Sequence, residues 1–202
     1  RTELERGTPV VFLDLEPDDS VVDLVRSDHR GGAALATRHL LAHGHTDIAF
    51  IGDDPTIFSA GCRLDGFLEA MTAAMITVPG HRLVTGRHSS ETWRTIVADH
   101  LRRPHPPTAI FTAQNFITVG AAHALHDLDL HRRIAHVGFD DIELADLLGI
   151  TVIAQDAATL GRTAAERLFR RLDGADDEPA QVALKTTLIP RGSGELPPSA
   201  DR

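Results

Sequence analysis

A chain of 202 residues has room for one large domain or two small lobes around a real hydrophobic core, which excludes a peptide hormone or a disulfide knot. Apolar residues make up 42% and charged residues 24%, ordinary for a folded globular protein, and no stretch approaches the ~20 consecutive apolar residues of a membrane helix. Twenty Lys and Arg against 29 Asp and Glu give a net charge of −9, so this chain by itself is expected to repel phosphate backbones rather than grip DNA.

The first apolar run, residues 10–13 after Pro9, is continuous, as in a strand buried on both faces of a parallel sheet. A second extended segment covers residues 21–27, and a helix with a glycine stop at Gly44 covers residues 31–43. A buried strand at 47–52 follows, then helix 63–75, strand 81–84, helix 90–101, strand 108–112, helix 115–128 and strand 134–138. A short helix at 142–148, a strand at 151–154, a helix at 157–172 and a last strand at 182–189 complete the pattern. Strands alternating with amphipathic helices predict an α/β fold with a parallel, helix-covered sheet.

Residues 28–156 supply one complete doubly wound lobe, and residues 1–27 with 157–190 supply part of a second. Residues 191–202, rich in Pro, Gly and Ser, read as a flexible tail. The sequence opens at Arg1 without methionine or a secretory signal, and reads as a fragment of a longer protein. The single cysteine, Cys62, cannot close an internal disulfide, so a reducing cytoplasm is expected.

Two residue types invite a chemical reading. His39, His43 and His45 have spacings that can hold zinc, yet no CxxC or HExxH stands nearby, and we expect no metal and no cofactor. No GxSxG elbow, P-loop or GxGxxG is present, and Cys62 has no evident base partner, so no enzyme activity is expected. Asp140 follows Phe139 at the carboxyl end of a parallel strand, where open α/β sheets bind ligands, and Asp141 is placed to cap the helix after it. Asp14, at the end of the first strand, is placed either to face a ligand or to make a turn.

Six segments in order carry a resemblance: the GG, HL and GH positions before IAFIG, then RLDGF (63–67), PPTAIF (106–111), VGFDD (137–141), GRTAAERL (161–168) and LIPRGS (188–193). Together they resemble the effector-binding domain of the LacI/GalR family of bacterial transcription regulators. That resemblance implies a periplasmic-binding-protein-like fold with a small effector between two lobes, and DNA contacted only through a helix-turn-helix absent from this sequence. Arg63 matches the arginine that binds effector in relatives, its alternative being a helix-surface salt bridge to Asp65 or Glu69. Gln114 and Asn115 match a cleft-lining pair, with Asn115 also placed to cap the next helix. His88 falls where several relatives place a stacking aromatic, its alternative being an exposed loop histidine.

The helix carrying Phe116, Ile117 and Val119 is apolar on more than one face, which predicts a protein interface as well as packing on the sheet. Relatives in the family dimerise through this region, and a homodimer is expected here. The resemblance implies a sugar or similar metabolite as effector, a purine being the alternative; the scarcity of aromatics favours a sugar. A free-standing solute-binding protein of the same fold is the competing class. An incomplete lobe is also expected to leave a sheet edge open to oligomerisation.

Overall fold

The computed structural model of the chain describes residues 8–15 and 22–199. It divides into two compact units, Arg1–Asp28 with Gln155–Thr186 and His29–Ala154 with Thr187–Arg202, so the chain passes between units three times.

The smaller unit holds a parallel sheet of three strands, β1 (Val11–Leu13), β2 (Asp23–Ser27) and β8 (Gln181–Leu184), in the order β1-β2-β8. Helix α5 (Ala157–Leu172) accompanies it, and Asp156 starts that helix by accepting a hydrogen bond from Thr159 N at 2.8 Å. Its apolar interior is small: Val22, Leu24, Val25 and Leu160 are buried, while Leu13, Phe169 and Leu172 stand exposed. A buried charge cluster adds to it. The Asp23 carboxylate, 3% exposed, accepts hydrogen bonds from Arg171 Nε (2.6 Å), Arg167 Nε (2.8 Å) and Ala180 N (2.9 Å). Burial alone would raise its pKa; the bonds from Arg171, Ala180 and Arg167 outweigh that and hold it down at about 2.

In the larger unit, β3 (Ile48–Gly52), β4 (Leu83–Thr85), β5 (Ala109–Thr112), β6 (Ala135–Phe139) and β7 (Thr151–Ala154) run parallel in the order β4-β3-β5-β6-β7. β9 (Thr187–Ile189) closes the β7 edge in antiparallel pairing. Strand residues alternate between two helical layers, as period-2 geometry demands. Phe50, Phe111 and Val137 meet α1 (His29–Ala42) and α2 (Phe58–Ala73), whereas Ile51 and Ile110 meet α3 (Ser90–Leu101) and α4 (Asn115–Asp127). Each such side chain, fully removed from water, stabilises the fold by about 1.5–3 kcal/mol. Two glycines permit the helix pairs to touch. A Cβ on Gly66 would collide with the Arg30 carbonyl oxygen, and one on Gly120 would lie 2.7 Å from Ser90 O.

Four expectations are corrected here. The predicted strand at 182–189 is two strands in different sheets: β8 ends where its partner β2 ends, at Ser27↔Leu184, and the chain then finds a new partner in β7. That moves the last boundary between units from residue 190 to 186. Residues 142–148 form successive turns instead of a helix, because bonds such as Ala145 N to Ile142 O, Leu148 N to Leu144 O and Ile150 N to Ala145 O make no repeating ladder. Residues 191–199 are pinned rather than loose. Glu195 accepts from His39 Nε2 (2.5 Å), Thr151 Oγ1 (2.8 Å) and Gly192 N (2.5 Å), and Leu196 O accepts from His45 Nε2 (2.7 Å).

Candidate functional site

Loops after the parallel strands of the larger unit gather at one edge, and the side chains singled out from the sequence fall there unevenly. Arg63, on α2, is only 6% exposed. Its guanidinium lies 4.9 Å from the centroid of Phe139, the last residue of β6, and Nη2 donates to Ser59 Oγ at 3.3 Å. His29, which opens α1, sets its ring 5.9 Å from Phe139. The surface-bridge alternative for Arg63 loses one partner, since Glu69 accepts from Arg30 Nε at 2.8 Å.

Asp140 follows Phe139 with φ at +77°, a left-handed backbone that takes the residue out of the strand, while its N–H still donates to Ile153 O at 2.9 Å. Asp140 and Asn115 line one groove of about 320 Å³ together with Phe116, Val119, Ile142 and Glu143. Gln114 stands at the N-cap position of α4, and its carbonyl accepts both Thr118 N (2.9 Å) and Thr118 Oγ1 (3.0 Å). The expected cap by Asn115 is not found: Asn115 is the first helical residue and its Oδ1 accepts from the adjacent Phe116 N at 2.7 Å. Beneath this helix start lies a buried polar chain in which Thr112 Oγ1 is 2.9 Å from Thr118 Oγ1 and 2.8 Å from His136 Nε2. Desolvation pushes His136 down to about 4, so its ring is neutral at physiological pH.

Three other residues singled out from the sequence make the following contacts. His88 is exposed and stands edge-on to the buried Trp93 ring at 5.0 Å, which is the loop-histidine alternative with a packing contact added. Asp14 belongs to the smaller unit, where its Oδ1 accepts from Ser27 N at 3.1 Å and its φ is +55°, a turn geometry joining the ends of β1 and β2. Asp141 caps nothing. Both its oxygens are held by Arg191, Nη1 at 2.7 Å and Nη2 at 2.9 Å, and that partner lowers its pKa.

The predicted interface helix divides. Ile117 is fully buried in the apolar layer between α4 and the sheet, so it cannot meet another molecule; Ala121 and Leu125 share that layer. Ala122 packs on Ala145, Ile150 and Val152, which absorbs a second apolar face of the helix. Phe116, 56% exposed, and Val119 remain outside the core. A second groove, of about 440 Å³, runs between α4 and the turns at 142–148, lined by Val119, His123, His126, Ile142, Leu144 and Leu148 among others. As for the zinc-spaced histidines, His39 and His45 bind the C-terminal segment, and His43 Nδ1 donates to His39 O at 2.9 Å. Among the described residues no three His, Cys, Asp or Glu side chains are grouped to hold a metal ion.

Sequence reasoning missed Phe139 and His29 as neighbours of Arg63, Phe116 as a groove residue beside Asp140, and Arg191 as the partner of Asp141. The LIPRGS segment was the visible signal for Arg191, but its contact spans fifty residues and no local spacing reveals it.

A parallel sheet wound on both faces, paired with a second small α/β unit and bearing polar side chains at its carboxyl edge, is the architecture of periplasmic-binding-protein-like domains. The chain belongs to that family: the periplasmic binding protein-like domain matches residues 37–194. Within it, the chain is similar to part of the LacI-family regulators. It is 33% identical to the ribose operon repressor of Escherichia coli K12 over 92% of this chain and 57% of that one. It is 29% identical to the transcriptional repressor PurR of Pasteurella multocida over the same shares. Among solved structures, a LacI-family regulatory protein from Chloroflexus aggregans superposes with a TM-score of 0.88 at 27% identity, covering 95% of this chain and 70% of that one. A LacI-family regulator from Enterococcus faecium with bound ribose gives 0.82 at 25% identity, covering 95% and 72%. The chain thus spans a little over half the length of the curated relatives it matches, and those relatives are repressors rather than enzymes. Among the described residues no helix is long and apolar enough to cross a membrane.

Proposed function

We propose that the chain senses a small effector for a cytoplasmic, homodimeric, LacI-type transcriptional repressor that catalyses no reaction, the DNA being contacted by a helix-turn-helix outside this sequence. The carrying observation is the guanidinium of Arg63, buried and stacked on Phe139 at the same sheet edge as Asp140. A fixed fork of donors and a carboxylate acceptor are the pair that neighbouring hydroxyls require. Gln114 and Asn115 add amide donors and acceptors. We infer a sugar rather than a purine, because aromatic residues are scarce, 4% of the chain, and the ribose-bound relative supports that choice. The relatives named above are regulators, which favours this reading over a free-standing solute-binding protein. Self-association is assigned to the second groove, lined by Val119, Ile142, Leu144 and Leu148, where Leu144 is 55% and Leu148 40% exposed.

Regulation then follows from differential affinity, since an effector shifts the DNA-binding equilibrium only by preferring one arrangement of the two lobes. The test is calorimetric titration of the chain with D-ribose and, separately, with hypoxanthine. Ribose heat that falls about tenfold in affinity in Arg63→Met and Asp140→Asn supports the reading, a loss of the size expected when a charged hydrogen-bond partner is removed. Hypoxanthine binding without ribose binding would reverse the ligand class, and unchanged affinity in both variants would move the site elsewhere.

A further inference from the structure

The turns at 140–149 form one wall of both grooves: Asp140, Asp141 and Glu143 face the first, and Glu143, Leu144 and Leu148 the second. This segment lacks a helical ladder; Ala145 packs against Ala122, Ile150 and Val152, but Leu144 and Leu147 are largely exposed, so its own packing fixes only part of its course. The C-terminal segment supplies further anchors. Arg191 clamps both oxygens of Asp141 at the start of the turns, and its Nη1 also reaches Ile150 O at 3.4 Å near their end. Ser193 N donates to Gly149 O at 3.0 Å. The anchor is itself anchored, because Arg191 N donates to Thr151 Oγ1 at 2.9 Å and that hydroxyl donates to Glu195 at 2.8 Å. The Arg191 side chain is 17% exposed and Asp141 38%, so the pair is partly shielded from solvent screening.

We propose that Arg191 is a positioning residue whose ion pair with Asp141 fixes the turn that carries both the effector-facing Asp140 and the apolar side chains of the self-association groove. One guanidinium thereby sets two functional surfaces. The inference rests on the assignment of the two grooves given under the proposed function. It goes beyond that assignment in making the two surfaces respond together to a single residue that touches neither ligand nor partner.

Hydrogen exchange read by mass spectrometry, with sedimentation equilibrium on the same 202-residue chain, tests it. In Arg191→Met, exchange in peptides spanning residues 141–149 is expected to rise about tenfold while peptides from β3 and β5 keep their protection, and the dimer dissociation constant is expected to rise about tenfold. Asp141→Asn reproduces both effects and serves if the arginine variant folds poorly; combining the two substitutions adds nothing further. The swapped pair, Asp141→Arg with Arg191→Asp, recovers part of both, which a merely structural role of either side chain would not produce. Unchanged exchange at 141–149 in both single variants overturns the proposal, as does faster exchange there with an unaltered dimer constant. A wild-type chain that stays monomeric at every concentration removes the self-association reading itself and the dual role with it, while the exchange data still report whether Arg191 holds the turn.

Discussion

The two units are held together by different physics. The larger one rests mainly on apolar burial: all three buried hydrophobic clusters among the described residues belong to it, and its sheet is covered on both faces. The smaller one buries few apolar side chains and adds a carboxylate gripped by two arginines. Burial is non-directional and tolerant, whereas a buried ion pair demands geometry and leaves an uncompensated charge when one partner goes. The two units should therefore fail under different insults.

The largest effect expected comes from Asp23→Asn, which leaves Arg167 and Arg171 only the more exposed carboxylate of Asp177 and should cost about 3 kcal/mol. With so little core behind it, the smaller unit should melt first and alone, seen as a split calorimetric transition. A single unsplit transition at the wild-type temperature would show that the cluster contributes little.

Acid sharpens the comparison from the other side. His136 and His100, both buried, are pushed by desolvation to about 4, so the native larger unit binds fewer protons than the unfolded chain between pH 6.5 and 4. Its stability is fully present above pH 6.5 and falls as pH drops toward 4, by on the order of 3 kcal/mol per histidine. Asp23, held at about 2, has the same sign in a lower window: its contribution is present above about pH 4 and disappears toward pH 2. Exchange measured from pH 7 to 3 should show the larger unit loosening first, and His136→Gln should reduce the slope above pH 4. The smallest effect is expected from Glu69→Gln, which cuts the exposed Arg30–Glu69 bridge (61 and 57% exposed) and should leave both transitions in place.

The larger unit was legible in the sequence because its strands are runs such as IAFIG and its helices obey a 3.6-residue stripe, both local signals. Where local pattern ran out, the reading failed for identifiable reasons. Residues 142–148 have helical composition, but a long-range clamp at Asp141 and the break at Gly149 leave them as turns. Ile117 looked like surplus apolar surface because α4 is covered on two sides, by the sheet and by Ala145 and Ile150, and a single helix cannot announce its second neighbour. The candidate site was half legible: a motif gave Arg63 and strand-end position gave Asp140, while the support beneath them, Phe139, His29 and Arg191, is tertiary. Asp14 and His88 were placed by position alone, and the contacts they make are with their own unit.

The three passages of the chain between units have a practical corollary. Neither unit is a continuous stretch of sequence, so neither can be excised by choosing two endpoints on the gene. A protease that nicks one of the passages would leave two fragments that each contribute strands to a shared unit and are held together by packing within it, and such a product would migrate as pieces on a denaturing gel while keeping its native mass in solution.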